Sequence, residues 1–350
     1  MKKLYKLSLS IFLVAFLISG CTQVVEIKAL VPAEVGEMSN KKYIAVSQFK
    51  NDDVGLSGKI ESKLAHNKLD GRKYFTVLSR KDIDKVMKEQ KLQSSEFLDE
   101  KTSVRIGKII GAQAIINGEV TANGVAKYYY DDRRECRKYN KDSGCVKWHY
   151  YQVKCDTTQA SVAANINIVN VESGSLIYGD TLSRNYSADS CKAGGELLSY
   201  LVSIPRRILS RDQAINKLAS DIASEFVYKL TPNYIYLDVK LLQDIELNSV
   251  TRVQEQNFEN ALLYIKAERL DRANEILSKL MDELDGKSYV VAYTYGVLKE
   301  AQGELDVAKQ FYEIADRETQ RPIEEVNQAI IRIDSLIHKR DEARRQIGVK

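Results

Sequence analysis

Residues 102–120 read Thr-Ser-Val-Arg-Ile-Gly-Lys-Ile-Ile-Gly-Ala-Gln-Ala-Ile-Ile-Asn-Gly-Glu-Val, and the change of pattern inside this stretch decides the fold class. Its first half, Thr102 to Ile110, is predicted as a helix. Gly111 can take the left-handed C-terminal cap, and Ala114 to Val120 follows as a strand. Working outward, Tyr43 to Lys50 alternates as a strand, with Ile44 and Val46 on one face. Val54 to Asn67 is predicted as a helix burying Leu56, Ile60 and Leu64, Tyr74 to Leu78 as a strand, and Lys81 to Leu92 as a helix with Ile83, Val86 and Met87 on its apolar face. Downstream comes an antiparallel set: Val125 to Tyr130, Val146 to Val153, Ser161 to Val171 and Leu176 to Leu182. A helix from about Arg207 to Lys229 closes this half, with Ile208, Ile215, Leu218, Ile222 and Phe226 at helical spacing. The predicted architecture is α+β with a mixed sheet.

The chain has 350 residues, 44% hydrophobic and 29% charged, enough to bury more than one core. Its 52 basic and 48 acidic residues give a net charge of +4, and Lys2, Lys3 and Lys6 lie in a segment expected to be removed. So balanced a surface gives nucleic-acid binding no electrostatic basis. Met1 to Lys6 is a positive start, Leu7 to Ile18 an apolar run and Ser19-Gly20-Cys21 a small-residue end, the pattern of a secretory signal peptide. The cysteine placed there resembles the lipobox of bacterial lipoproteins, so residues 1–20 are expected to be removed, Cys21 lipidated and residues 21–40 left as a tether. Thr22 after it, by the same resemblance, favours the outer membrane with the soluble part facing the periplasm.

Export also governs Cys136, Cys145, Cys155 and Cys191, an even number in an oxidising compartment. A tight turn centred on Ser173-Gly174 makes facing residues sum to 347. Cys155 and Cys191 sum to one less, and a single bulge would bring them opposite each other. Cys136 and Cys145 would then close a short polar loop. Zinc is not expected, because no pair has CxxC spacing and His149 is the only nearby histidine.

Pro32-Ala33-Glu34-Val35, Ile44-Ala45-Val46, Leu78-Ser79-Arg80 with Ile83 and Val86, Glu89-Gln90, Leu92-Gln93, and Gly107 and Gly111 with Ile115, Ile116 and Gly118 carry a family resemblance. Together they resemble the periplasmic domain of the curli-assembly lipoproteins, the CsgG-like family, from the lipobox to about residue 230. Arg80, Glu89, Gln90, Gly107, Gly111 and Gly118 are its motif positions here; Ser95 and Glu96 stand where many relatives have glycine. The resemblance places a CsgG-like domain at residues 41–231 and implies envelope assembly work. In the family's secretion channels it implies two membrane hairpins per subunit. Asp131, Asp132, Arg133, Arg134, Glu135, Arg137 and Lys138 crowd the first candidate hairpin, and Leu182 to Ser210 sustains no alternation, so both are expected as periplasmic loops. The aromatic cluster Tyr128 to Tyr130, Trp148, Tyr150 and Tyr151 is expected to pack across strands.

After a linker at 232–254, an internal repeat appears. Leu270-Asp271-Arg272-Ala273 returns as Leu305-Asp306-Val307-Ala308, close to the tetratricopeptide period of about 34 residues. Ala261 and Gly296 take the small position on one helix, Ala273 and Ala308 that on the next, and Leu277 and Tyr312 the bulky one. Residues 255–350 therefore resemble tetratricopeptide repeats closed by a capping helix from Ile323 to Arg345, and such a stack makes a concave surface for a protein client. Tyr264, Lys266, Tyr289, Tyr293, Tyr295 and Lys299 are the candidate groove residues.

No catalytic constellation emerges from His66, His149 and His338, and neither a cofactor nor a metal is expected. Gly55-Leu56-Ser57-Gly58-Lys59 lacks the spacer of a phosphate loop and is predicted as a helix start. The sequence reading is of a non-enzymatic outer-membrane lipoprotein, anchored by its lipid and capable of homo-oligomerisation. It would bind a protein during assembly of a surface, flagellar or envelope structure. A secretion-channel subunit and an activator of a cell-wall synthase are the alternatives.

Overall fold

The first element of the computed structural model corrects the sequence reading, within the residues it describes: 23–79, 85, 86, 88, 89, 100–192 and 207–348. The expected tether holds strand β1 (Val24–Val31) and a 3-10 turn at Gly36–Asn40. The expected linker holds strand β9 (Asn233–Lys240). These two strands pair antiparallel, from Val24 opposite Lys240 to Val31 opposite Asn233. Alternation is the physical cause: Val25, Ile27 and Ala29 share a face with Ile235, Leu237 and Val239, while Glu26, Lys28, Asp238 and Lys240 point away. Each strand is short and flanked by proline, so neither is conspicuous without its partner. Ala33–Pro232 form one unit, and the segments on either side of them together form the other.

The unit from Ala33 to Pro232 contains β2 (Tyr43–Val46), α1 (Leu56–His66), β3 (Lys68–Leu69), β4 (Arg72–Lys73), β5 (Thr76–Val77), α2 (Glu100–Ile110), β6 (Ala114–Asn140), β7 (Gly144–Asn170), β8 (Leu176–Asp189) and α3 (Arg211–Lys229). Its main sheet has the order β5-β2-β6-β7-β8; β2 runs parallel to both neighbours and the remaining pairs are antiparallel. The fold is α+β with a mixed sheet.

Local chemistry explains the helix ends. The Asp52 carboxylate accepts hydrogen bonds from the Leu56 and Ser57 amides at 2.7 and 2.9 Å and so caps α1. Leu56, Ile60 and Leu64 are buried beneath it. Helix α2 stops at Gly111, whose φ of +74° is the left-handed cap, and Ser210 with Gln213 forms a capping box on α3. Residues 85, 86, 88 and 89 are helical, and Val86 packs against Ala45, Ile106, Ile115 and Val171. The remainder of the helix expected at 81–92, with Arg80 just before it and Gln90, lies outside the described residues, as do Ser95, Glu96 and residues 1–22, which include Cys21 and the expected signal peptide.

A second correction concerns residues 131–145. Instead of a loop between short strands, β6 and β7 continue to a turn at 141–143, pairing from Ala114 opposite Asn170 to Asn140 opposite Gly144. At roughly 3.3 Å per residue each strand is about 90 Å long. The last residue of β7 to pair with β8 is Thr157, so residues 128–140 and 144–156 continue as a two-stranded ribbon for about 40 Å. Charged residues on both faces give no apolar period, which is why the sequence reads as a loop.

The other unit adds α4 (Arg252–Lys266), α5 (Leu270–Glu283), α6 (Tyr289–Ala301), α7 (Leu305–Glu318) and α8 (Glu324–Ile347) to β1 and β9. Each helix packs on the next. The repeated small positions meet close contacts: Ala261, Ala273 and Ala308 are fully buried. A Cβ on Gly296 would come within 2.6 Å of the Tyr312 ring. Ile27, Ala29, Val239 and Leu241 join these helices in one core.

Candidate protein-binding surfaces

Strand β1 lies against α4, α6 and α8, of which α4 and α6 carry the candidate groove residues Tyr264, Tyr289 and Tyr293. The Tyr293 hydroxyl donates to the Lys240 carbonyl at 2.7 Å, and the Lys240 ammonium pairs with Glu325 at 2.6 Å. Tyr293 is only 1% exposed, and burial pushes its phenol well above the ordinary range. Tyr295 is buried too, its hydroxyl donating to Asn274 Oδ1 at 3.3 Å. Both belong to the core, which corrects their assignment to an open groove: Tyr293 faces β9, and Tyr295 packs on Phe311 of α7. Lys299 pairs with Glu304 at 3.1 Å and lies over the Tyr295 ring. Tyr264 is half-buried against the same core, and Lys266 is exposed. Of the six, Tyr289 lines a cleft of about 610 Å³ with Lys287, Arg321 and Ile323.

Sequence reasoning missed the polar centre of this unit. Glu300 is fully buried and accepts two hydrogen bonds from Arg332, both 2.9 Å, and one from the Tyr312 hydroxyl. Burial first, then the Glu300 charge, drives the Tyr312 phenol far above its usual range. Burial works against the Arg332 cation, but the hydrogen bond and charge of Glu300 outweigh it and hold the guanidinium protonated. Nothing in Lys299-Glu300-Ala301 distinguishes this glutamate from a solvated one.

The ribbon offers a different surface. Cys136 is bonded to Cys145 and Cys155 to Cys191, with Cα separations of 5.7 and 5.5 Å, as the sequence predicts. Partners on β7 and β8 sum to 345 at Val169 and Leu176 and to 346 from Ile168 to Thr157, the shift lying between Ile168 and Val169. Cys155 and Cys191 continue the second register. Asp131 lies within 4.8 Å of both sulfurs, but the disulfide leaves no thiolate there to ligate a metal.

Along one face of the ribbon stand Tyr128, Tyr130, Trp148 and Tyr150, all exposed. Arg134 lies over the Trp148 ring at 4.4 Å and Lys154 over Tyr128 at 4.7 Å, and Tyr128 meets Tyr130 edge to face at 6.0 Å. The opposite face carries Tyr129, Asp131, Arg133, Glu135, His149, Tyr151 and Val153. There the Tyr129 hydroxyl donates to Asp189 at 3.0 Å. Its phenol is raised, by burial first and then by this bond.

Of the motif glycines, Gly107 and Gly118 serve packing and Gly111 the helix cap. A Cβ on Gly107 would collide with Val171, and one on Gly118 with the Asn165 carbonyl and the Phe49 ring; Glu89 is exposed. His66, with Nδ1 2.7 Å from the Ser62 carbonyl, His149, stacked on Tyr151, and His338 on α8 are not brought together. Among the described residues no helix is long and apolar enough to cross a membrane.

No curated protein matches the chain. The solved structure of the LpoB C-terminal domain from Salmonella enterica aligns at 14% identity and a TM-score of 0.24, covering 44% of this chain and 95% of that one. Residues 27–197 match the family described as curli production assembly/transport component CsgG. That match runs from within β1 past the end of β8 and takes in the central sheet with Gly107, Gly111 and Gly118. Through this mixed-sheet region, the chain is similar to the CsgG-like family.

Proposed function

We propose that the protein is a lipid-anchored, non-enzymatic component of the outer membrane, facing the periplasm, that binds another protein during assembly of a surface, flagellar or envelope structure. The observation that carries this reading is the match of residues 27–197 to a curli assembly and transport family. The lipobox-like Ile18-Ser19-Gly20-Cys21 supports the anchor. Only Thr22 and Gln23 separate Cys21 from β1, so the lipid tethers the helical unit, into whose core β1 is built. Tethering raises the effective concentration of whatever is bound. With β1 against α4, α6 and α8, the client is assigned to the cleft of Tyr289, Lys287, Arg321 and Ile323.

A photo-crosslinking residue at position 289 tests this in intact cells. The expected result is one discrete protein adduct, abolished by Arg321→Glu; a ladder of weak adducts indifferent to that change would end the assignment. Incorporation of a labelled fatty acid, lost in Cys21→Ser, checks the anchor.

A ring-forming secretion-channel subunit is a second reading, favoured by the same family match. The charges on both faces of the ribbon oppose it, because Arg or Lys on a lipid face costs about 2 to 4 kcal/mol at the bilayer midplane. Conductance by the purified lipidated protein in a planar bilayer, with a large ring mass by light scattering, would establish it.

A further inference from the structure

We infer that the tip of the β6–β7 ribbon docks on an anionic lipid surface, meeting it at headgroup depth without crossing. Residues 134–148 carry Arg134, Arg137, Lys138, Lys141 and Lys147 against only Glu135 and Asp142. Arg137 holds Glu135 at 2.6 Å. Lys138, Lys141 and Lys147 are exposed and have no ion pair among the described residues. Beside them Tyr139 is 73% exposed, Trp148 39% and Val146 49%. Basic residues interleaved with tyrosine and tryptophan are the chemistry of the membrane–water boundary.

Geometry favours a lipid surface over a protein partner. A ribbon face about 40 Å long and about 10 Å wide offers roughly 400 Å², half of the ~800 Å² that each partner contributes to a stable protein interface. Adsorption to a continuous charged sheet has no such threshold. The Cys136–Cys145 bridge joins the strands at the tip, where an isolated two-stranded ribbon would be marginal, and keeps the basic side chains together. Charge on both faces of the ribbon stops it at the headgroups.

Trp148 is the only tryptophan in the chain, so its emission reports from the tip alone. The test uses the full chain carrying Cys21→Ser, which removes the lipid's own partitioning. It is mixed with vesicles of phosphatidylcholine containing phosphatidylglycerol, or of phosphatidylcholine alone. The expected result is salt-sensitive binding to the anionic vesicles, a blue shift of Trp148, and quenching by lipids brominated near the headgroup. Lys138→Gln, Lys141→Gln and Lys147→Gln together should weaken binding roughly a hundredfold with an unchanged far-ultraviolet spectrum. No binding to either vesicle, equal binding to both, binding without a Trp148 shift, or quenching by deeply brominated lipids would each overturn the inference, the last in favour of a spanning hairpin. Because vesicles contain no client, the outcome is independent of the cleft assignment.

Discussion

At the scale of single residues, Glu300 carries more consequence than any position the sequence singles out. It is a buried charge whose partners lie on two other helices, so removing either side leaves an uncompensated ion. Glu300→Ala should cost about 3 to 5 kcal/mol in urea unfolding, and Arg332→Ala a similar amount, with strong coupling in the double mutant. Glycines behave oppositely according to what surrounds them. Gly107→Ala forces a methyl into Val171 and should destabilise by about 1 to 3 kcal/mol. Gly58→Ala, inside α1 with open space around it, should be neutral or stabilise by up to about 1 kcal/mol. The small positions Ala261, Gly296, Ala273 and Ala308 were legible because close helix crossings demand small side chains at a fixed period. Glu300 was not, since a glutamate in an amphipathic helix reads as solvated unless its distant partners are known. Tyr293 and Tyr295 were misread for a related reason: a tyrosine on a helix looks the same facing an open groove or packed against a neighbouring element.

At the scale of elements, β1 is a strand upstream of the whole mixed-sheet unit that completes the core of the helical one. Ile27→Ala should therefore destabilise α4 to α8, by about 2 to 5 kcal/mol, and hydrogen exchange mapped along those helices would detect it. Loss of protection confined to residues 33–232 would contradict that placement. The two disulfides differ in the length of chain they close, with sequence separations of 9 and 36. Replacing both Cys155 and Cys191 by serine should cost about 1 kcal/mol more than replacing Cys136 and Cys145, on the chain-entropy account of such bridges. Thermal unfolding of the two double variants decides it. The disulfide pairing was legible from cysteine parity, but the turn was misplaced: the register leaves it at a sum of 345 rather than 347, and the irregularity at Ile168 raises that to the 346 shared by Cys155 and Cys191. The ribbon's length was not legible, because a strand solvated on both faces leaves no periodic trace.

For the whole molecule, the alkaline limit follows from its buried phenols. Burial lifts Tyr74 to about 12 and raises Tyr293 and Tyr312 as well, whereas an unfolded tyrosine ionises near 10. Between these values the folded state binds more protons than the unfolded one, so stability is intact below about pH 10 and falls as pH rises toward 12. Phenolate absorbance should show a fraction of the twenty tyrosines titrating only together with loss of structure. The α+β class and the run of helices from Arg252 were both legible, since each rests on local periodicity. The division into units was not, because the chain passes between them twice, at Pro32 and again at Pro232. With Val31 paired to Asn233, the mixed-sheet unit occupies the place of a turn in a hairpin. That arrangement imposes an order of events on the newly made chain. Strand β1 is synthesised first, yet its partner arrives only after the entire inserted unit has followed. The inserted unit can fold while β1 is still single, and the helical unit can close only at the end. Until then β1 presents an unpaired edge and an apolar face, the state in which a chaperone or a neighbouring nascent chain would find it.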